Sequence, residues 1–194
     1  MNVPNQLTVG RLLVTMIFVA VLSFDFSYKY TVGLWLFVIA SITDWLDGMI
    51  ARKWNLITNF GKLMDPLADK VLVAAAFVML SAEDVFPAWI LVFILTREFL
   101  VTGLRLIATA QNVVLAADRL GKWKTIFQII TAIYLLLALA SKEAPMSVFE
   151  GLFNIRGMGP HQLGLVLCFI TLAATVVSGL NYVWTNRRLI EWDA

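Results

Sequence analysis

Six apolar stretches alternate with short polar segments along the 194-residue chain. A helix needs roughly 20 apolar residues to cross the hydrocarbon core of a bilayer. The pattern predicts helices over residues 12–24 (extended back to about residue 8), 32–51, 63–81, 88–108, 122–140 and 163–184. Residues 1–10 mix polar and apolar side chains, which indicates an interfacial turn or half-helix. Residues 142–160 form the longest polar stretch, and their glycines and prolines predict a loop.

Composition supports a membrane location for these helices. Hydrophobic residues make up 60% of the chain and charged residues only 14%, whereas a soluble domain carries about a quarter charged residues. We therefore expect an all-α integral membrane protein, one domain over residues 1–194, with six transmembrane helices and a short N-terminal interfacial segment. The net charge of +2 is too small to indicate a nucleic-acid partner.

The basic residues predict the orientation of the helices, because cytoplasmic loops are enriched in lysine and arginine. One side of the expected bundle holds Lys29, Lys142 and Arg156, while Arg97 falls within a span. The other side, with both termini, holds Arg11, Arg52, Lys53, Lys62, Lys70, Arg105, Arg119, Lys122, Lys124, Arg187 and Arg188. Eleven basic residues on the second side against three on the first predict that the second side is cytoplasmic. We expect a multi-pass protein of the cell membrane.

Four carboxylates interrupt the apolar pattern at the cytoplasmic ends of the second and third helices. Asp44 and Asp47 are three residues apart, and Asp65 and Asp69 four apart, so each pair shares one helix face. Acids gathered in an apolar setting repel one another unless cations hold them. Oxygen ligands favour magnesium, manganese or calcium over zinc, and the only histidine, His161, lies on the opposite side. The pattern predicts a site for two divalent ions, which bridge the oxygens of a pyrophosphate.

The residues around the acids are typical of a phosphate-binding site. Gly48 and Gly61 have no side chain, so a ligand or a neighbouring helix is able to approach the backbone closely. Arg52 follows one turn after Gly48 and offers a guanidinium fork to a phosphate. Two other interpretations remain open at this point. The acids could pair with nearby cations, namely Arg52, Lys53, Lys62 and Lys70, or they could line the path of a membrane ion carrier. A carrier is expected to place acids near the membrane midplane, whereas these lie at one rim.

The stretch from residue 44 to residue 69 reads D-x2-D-G-x2-A-R-x8-G-x3-D-x3-D. This pattern resembles the signature of the CDP-alcohol phosphatidyltransferases, a family of membrane enzymes with six transmembrane helices. Three further segments are similar to the branch that uses sn-glycerol 3-phosphate as acceptor: N-V-P-N-Q-L-T-V-G-R, T-R-E-F-L-V-T-G-L-R and G-K-W-K-T. The resemblance implies transfer of a phosphatidyl group from CDP-diacylglycerol to glycerol 3-phosphate, with release of CMP. Other acceptors in the family, such as inositol phosphate or serine, remain alternatives. The resemblance also implies a homodimer.

The resemblance assigns roles to individual residues. Asp44, Asp47, Asp65 and Asp69 would bind two Mg²⁺ or Mn²⁺ ions, and Asp69 would also act as the general base. The CDP-diacylglycerol contacts would be Asn5, Thr8, Gly48, Arg52, Thr58 and Gly61. A carboxylate beside two cations has a lowered pKa, so Asp69 is a weak base unless the metal also acidifies the acceptor alcohol.

The acceptor carries a phosphate of its own and needs cationic partners. The candidates at the cytoplasmic ends of the fourth and fifth helices are Arg105, Arg119, Lys122 and Lys124. Basic residues at such a boundary also serve topology and anionic lipid headgroups, which is the alternative role for all four. Arg97 and Glu98 are adjacent within the fourth span, and neighbours on a helix point to different sides, so no pairing between them is expected. A buried structural network is the expected role of both residues, with a contact to substrate as the alternative.

Overall fold

The computed structural model describes the backbone of residues 3–54, 59–110, 119–153 and 160–187. Side chains are described for residues 9–43, 70–106, 108, 120–151, 153 and 162–187. Every regular element in these ranges is helical. The order is α1 (Val3–Ser23), α2 (Lys29–Trp54), α3 (Asn59–Ala82), α4 (Ala88–Ala110), α5 (Arg119–Ala140), a 3₁₀ helix (Ala144–Phe149), α6 (Glu150–Phe153) and α7 (Pro160–Thr185). The all-α class is confirmed.

The long helices form a ring in which neighbours in space are not always neighbours in sequence. The ring runs α1, α2, α5, α7, α4 and α3, and α3 returns to pack against α1. Contacts between α3 and α5 cross its interior. Phe18, Phe37, Phe77 and Leu136 are fully buried in the core. The helices that carry the acid pairs, α2 and α3, therefore share two neighbours, α1 and α5.

Within the part of the chain whose side chains are described, two helical segments are long and apolar enough to cross a membrane by themselves, Leu120–Ala140 and Gln162–Thr185. Three shorter apolar segments are found among the residues with described side chains, Val9–Ser23, Lys29–Thr43 and Lys70–Ala82. Each of these three belongs to a longer helix that continues toward the acid motif or the N-terminus. In α4, three charged residues interrupt the apolar sequence: Arg97, Glu98 and Arg105.

Helices α1 and α2 begin earlier in the chain than the hydrophobic pattern predicts. For the N-terminal segment, where the sequence indicates a turn or a half-helix, the structure shows helix, and α1 runs without interruption from Val3. Helix α2 begins three residues before its predicted start, because the Glu143 carboxylate accepts the backbone N–H groups of Tyr30 and Thr31, both at 2.8 Å. Those first N–H groups have no partner within the helix, so a carboxylate from another segment stabilises the helix start.

The turn between α3 and α4 places a non-glycine residue in the left-handed region. Asp84 has φ 57°, a conformation that aspartate tolerates better than most residues. The N–H of Val85 donates to the carbonyl of Leu80 at 3.1 Å, which satisfies an orphan acceptor at the end of α3. Pro87 directly precedes α4 and fixes its entry.

Candidate functional site

The four aspartates predicted to bind metal lie on two helices that run in opposite directions. Asp44 and Asp47 belong to the last part of α2, and Asp65 and Asp69 to the first part of α3. Only residues 55–58 separate the two helices, so both acid pairs occupy the same end of the fold. The side chains of the four aspartates lie outside the described residues, and their role as metal ligands stays a prediction.

The donor chemistry of these residues fits a hard divalent cation. Four carboxylates supply only oxygen ligands, as Mg²⁺ and Mn²⁺ prefer. Among the residues with described side chains, no three His, Cys, Asp or Glu come together to form a different metal site. Cys168, the only cysteine, is fully buried in the core at α7.

The predicted CDP contacts belong to the same end of the fold. Gly48 and Arg52 follow the first acid pair on α2, and Gly61 precedes the second pair on α3. Asn5 and Thr8 lie on the first turns of α1, which packs against both α2 and α3. Thr58, and the side chains of the others, lie outside the described residues.

Sequence reasoning treated Arg11 only as a topology signal, but the structure places it in the interior. Arg11 is 8% exposed on α1, and its backbone carbonyl accepts the hydroxyl of Thr15 at 2.9 Å. Helix α1 packs against both acid-bearing helices, α2 and α3. Its buried arginine therefore adds positive charge at the end of the fold that carries the acids. Its signal in the sequence is a lone arginine directly before the apolar run of residues 12–24.

The four predicted acceptor contacts differ in their surroundings. Arg105 on α4 and Lys122 on α5 are exposed, whereas Lys124 is 5% exposed. Arg119 is the first residue of α5, and its side chain lies outside the described residues. Arg105 and Lys122 are therefore accessible to a soluble anion, and Lys124 is not.

Lys124 belongs to a buried set of charged residues between α4, α5 and α7. Its ammonium group donates to the Glu98 carboxylate. Arg97 Nη1 lies 3.7 Å from Glu98 Oε2, and Arg97 Nη2 donates to Ser178 Oγ at 2.7 Å. We call Arg97, Glu98, Lys124 and Ser178 the α4–α5–α7 cluster.

This cluster corrects one sequence expectation and confirms another. The expected lack of pairing between Arg97 and Glu98 is wrong, because both long side chains bend toward the same interhelical space. The expected buried network is confirmed. Gly179 on α7 makes room for it, since a Cβ there would lie 2.8 Å from Arg97 Cγ.

Comparison with known proteins adds independent information. A sequence model of the family described as CDP-alcohol phosphatidyltransferase matches residues 1–177. A Bacillus subtilis (strain 168) protein is 46% identical over 205 residues, covering 100% of this chain and 96% of the relative. A Rickettsia typhi protein is 36% identical over 181 residues, with 93% and 94% coverage. A Mycoplasma genitalium protein is 34% identical over 170 residues, with 78% and 72% coverage. All three relatives carry the name CDP-diacylglycerol–glycerol-3-phosphate 3-phosphatidyltransferase.

Proposed function

The chain belongs to the CDP-alcohol phosphatidyltransferase family, and we propose that it transfers a phosphatidyl group from CDP-diacylglycerol to sn-glycerol 3-phosphate. The acceptor hydroxyl oxygen bonds to the phosphorus that carries the diacylglycerol. The bond from that phosphorus to the oxygen bridging it to CMP breaks, and CMP leaves with the electron pair. The observation that carries the proposal is the 46% identity over the whole chain to the Bacillus subtilis relative of that name.

The acid pairs are the proposed metal-binding part of the site. We assign Asp44, Asp47, Asp65 and Asp69 to two divalent ions, Mg²⁺ or Mn²⁺, because the motif is unbroken and both pairs belong to one end of antiparallel helices. Bound ions would withdraw charge from the pyrophosphate and stabilise the CMP leaving group. Asp69 has a second proposed role as the base that takes the proton of the acceptor hydroxyl.

The nucleotide is proposed to lie over the ends of α1, α2 and α3. Gly48 and Gly61 leave room for the pyrophosphate next to the backbone, and Arg52 offers a forked cation to it. The remaining proposed contacts are Asn5, Thr8 and Thr58. The continuous helix from Val3 supports a rigid placement of Asn5 and Thr8, since both belong to α1 itself.

The acceptor phosphate is proposed to bind cations from α4 and α5. Arg105 and Lys122 are exposed and able to receive it, and Arg119 begins α5 three residues before Lys122. Lys124 is the fourth candidate, but a phosphate there would have to share the ammonium group with Glu98. Among the three candidates whose side chains are described, Arg105 and Lys122 are favoured over Lys124 because they are exposed.

The protein is a membrane enzyme, and we propose that six of its helices cross the membrane, with α1 to α5 and α7 as the spans. Exposed tryptophans lie near both ends of the bundle, as in the aromatic belts of membrane proteins. Trp35 and Trp89 lie toward one end, and Trp123 and Trp184 toward the other, each 50–71% exposed. The distribution of basic residues supports a cytoplasmic location for the acid pairs and both termini, on the side where glycerol 3-phosphate is available. A homodimer is the proposed assembly.

An acceptor screen with purified protein tests the reaction. With CDP-diacylglycerol, Mg²⁺ and radiolabelled glycerol 3-phosphate, we expect equimolar labelled lipid and CMP, and excess EDTA is expected to stop both. If radiolabelled inositol phosphate or serine gives labelled lipid and glycerol 3-phosphate does not, the acceptor assignment is contradicted, while phosphatidyl transfer itself is retained. Absence of CMP release with every alcohol, together with metal-dependent ion flux in liposomes, would favour the carrier interpretation.

Replacing Arg105 by alanine tests the acceptor site. We expect the KM for glycerol 3-phosphate to rise about tenfold, because a charge-assisted bond to the phosphate is lost, while the KM for CDP-diacylglycerol changes little. Lys142→Ala, which removes a cation from the opposite end, is the matched control and should change neither constant. Equal increases in both KM values for Arg105→Ala would assign Arg105 a structural role.

A further inference from the structure

The two acid-bearing helices meet again at their other ends, about as far from the acids as the bundle allows. There, Lys29 Nζ of α2 donates to Glu83 Oε1 at 3.0 Å, and the Tyr30 hydroxyl donates to Glu83 Oε2 at 2.5 Å. Glu83 directly follows α3. We call Lys29, Tyr30 and Glu83 the outer cluster. It ties the start of α2 to the end of α3 by two side-chain contacts to one carboxylate.

The outer cluster is partly shielded from solvent, unlike a fully exposed surface ion pair. The side chains of Lys29 and Glu83 are 16% and 25% exposed, whereas Asp25, which also accepts from Lys29 at 3.1 Å, is 97% exposed. The contact between Lys29 and Glu83 therefore joins opposite charges at a place where solvent reaches each side chain only in part.

The spacing from this cluster to the acid pairs is the same on both helices. Tyr30 and Asp44 are fourteen positions apart along α2, and Asp69 and Glu83 are fourteen positions apart along α3 and the residue after it. At 1.5 Å per residue, each distance is about 21 Å. Because the helices run in opposite directions, a contact between Tyr30 and Glu83 brings Asp44 and Asp69 to the same depth. A slip of α3 by one helical turn, about 5.4 Å, would separate the two pairs.

Direct contacts between α2 and α3 are few apart from this cluster. The connection over residues 55–58 spans up to roughly 17 Å when extended, so it tolerates a slip of one turn. Helices α2 and α3 each pack more extensively on α1 than on each other. In a membrane, apolar helix surfaces gain little by leaving lipid, and polar contacts and small residues define how helices align. The outer cluster supplies polar contacts directly between α2 and α3.

We propose that Glu83 is a positioning residue: by holding Lys29 and Tyr30, it sets the axial register of α3 against α2 and thereby aligns the two acid pairs. The inference rests on the proposed function, because the metal-binding role of the acids belongs to that function. Glu83 acts only through the helices and does not touch the substrates.

Mn²⁺ binding to substrate-free protein, measured from the loss of the free-ion EPR signal, tests the alignment without turnover. Glu83→Ala is expected to raise the Mn²⁺ dissociation constant about tenfold, and Tyr30→Phe to raise it less. Glu83→Gln keeps an acceptor oxygen and should fall between wild type and Glu83→Ala. Asp25→Asn is the matched control, since Asp25 contacts Lys29 but not α3, and it should bind Mn²⁺ as wild type does. Unchanged Mn²⁺ affinity in Glu83→Ala would overturn the proposal, even if its melting temperature falls.

A distance measurement reports the register directly. Spin labels at Thr43→Cys on α2 and Val71→Cys on α3, in a Cys168→Ala background, give an interhelical distance by pulsed EPR without metal. The distance distribution is expected to shift or widen in Glu83→Ala and to stay as in wild type in Asp25→Asn. An unchanged distribution in Glu83→Ala would overturn the proposal. If wild-type protein binds no Mn²⁺, the proposed metal site is wrong, and the label distance still decides whether Glu83 sets the register.

Discussion

Asp65→Asn is expected to reduce CMP release at least about a thousandfold while leaving the fold intact. The amide has nearly the same shape as the carboxylate, but it is neutral and binds Mg²⁺ poorly. A metal ion contributes several kcal/mol to transition-state stabilisation, and each 1.36 kcal/mol is a factor of ten in rate. Initial rates at saturating CDP-diacylglycerol and glycerol 3-phosphate, over a range of Mg²⁺ concentrations, measure this loss.

Thermal unfolding separates loss of metal binding from loss of structure. Without metal, the four acids repel one another, so Asp65→Asn should melt at the wild-type temperature or slightly higher. Addition of Mg²⁺ should stabilise wild type, because ligands that bind only the folded state raise its stability, and should stabilise Asp65→Asn much less. Asp84→Asn is the matched control, since Asp84 lies in the turn after α3 and asparagine tolerates its left-handed backbone. Near-normal activity of Asp65→Asn with unchanged Mg²⁺ dependence would contradict the metal assignment.

The hydrophobic pattern was sufficient to predict the helices, because each apolar run has the length and continuity of a single element. It could not predict where α2 begins, since the group that caps that helix, Glu143, lies 113 residues away from Tyr30. It also left open whether the segment with Asn5 and Thr8 is a turn or a half-helix, whereas the structure shows one continuous helix from Val3.

In the candidate site too, features set by neighbouring residues are predictable from the sequence, and features set by distant residues are not. The acid motif is local, so its spacing alone predicts two helix faces and one end of the bundle. The partner of Lys124 is 26 residues distant on another helix, and its identity depends on how α4 and α5 are rotated against each other. A basic residue at a helix start gives no sign of that rotation in the sequence. The exposed Arg105 and the buried Lys124 therefore look alike until the helices are packed.

Glu98→Ala is expected to destabilise the protein more than any single change to its cations. Glu98 is the only carboxylate in the α4–α5–α7 cluster, and it serves both Arg97 and Lys124. Their side chains are 6–11% exposed, so removing the acid leaves two buried cations facing each other. Breaking a buried pair from one side costs about 3–5 kcal/mol. We expect greatly reduced yield of folded protein and a much lower melting temperature in detergent.

Lys124→Met should lower the stability of the fold less than Glu98→Ala does. Glu98 keeps Arg97 as a partner at 3.7 Å, and the methionine refills the space between the helices. The double variant Glu98→Ala with Lys124→Met is expected to be more stable than Glu98→Ala alone, since one acid and one cation are lost together and Arg97 retains Ser178. If the loss of stability in the double variant equals the sum of the losses in the two single variants, Glu98 and Lys124 do not stabilise each other.

The same variants decide between the two roles of Lys124. If Lys124 mainly neutralises Glu98, the folded fraction of Lys124→Met should keep the wild-type KM for glycerol 3-phosphate, and the double variant should keep it as well. A KM that rises for Lys124→Met at unchanged stability would instead make Lys124 a phosphate ligand. Because the ammonium group already bonds to Glu98 in the absence of substrate, we expect the first result, with the acceptor phosphate bound by the exposed Arg105 and Lys122.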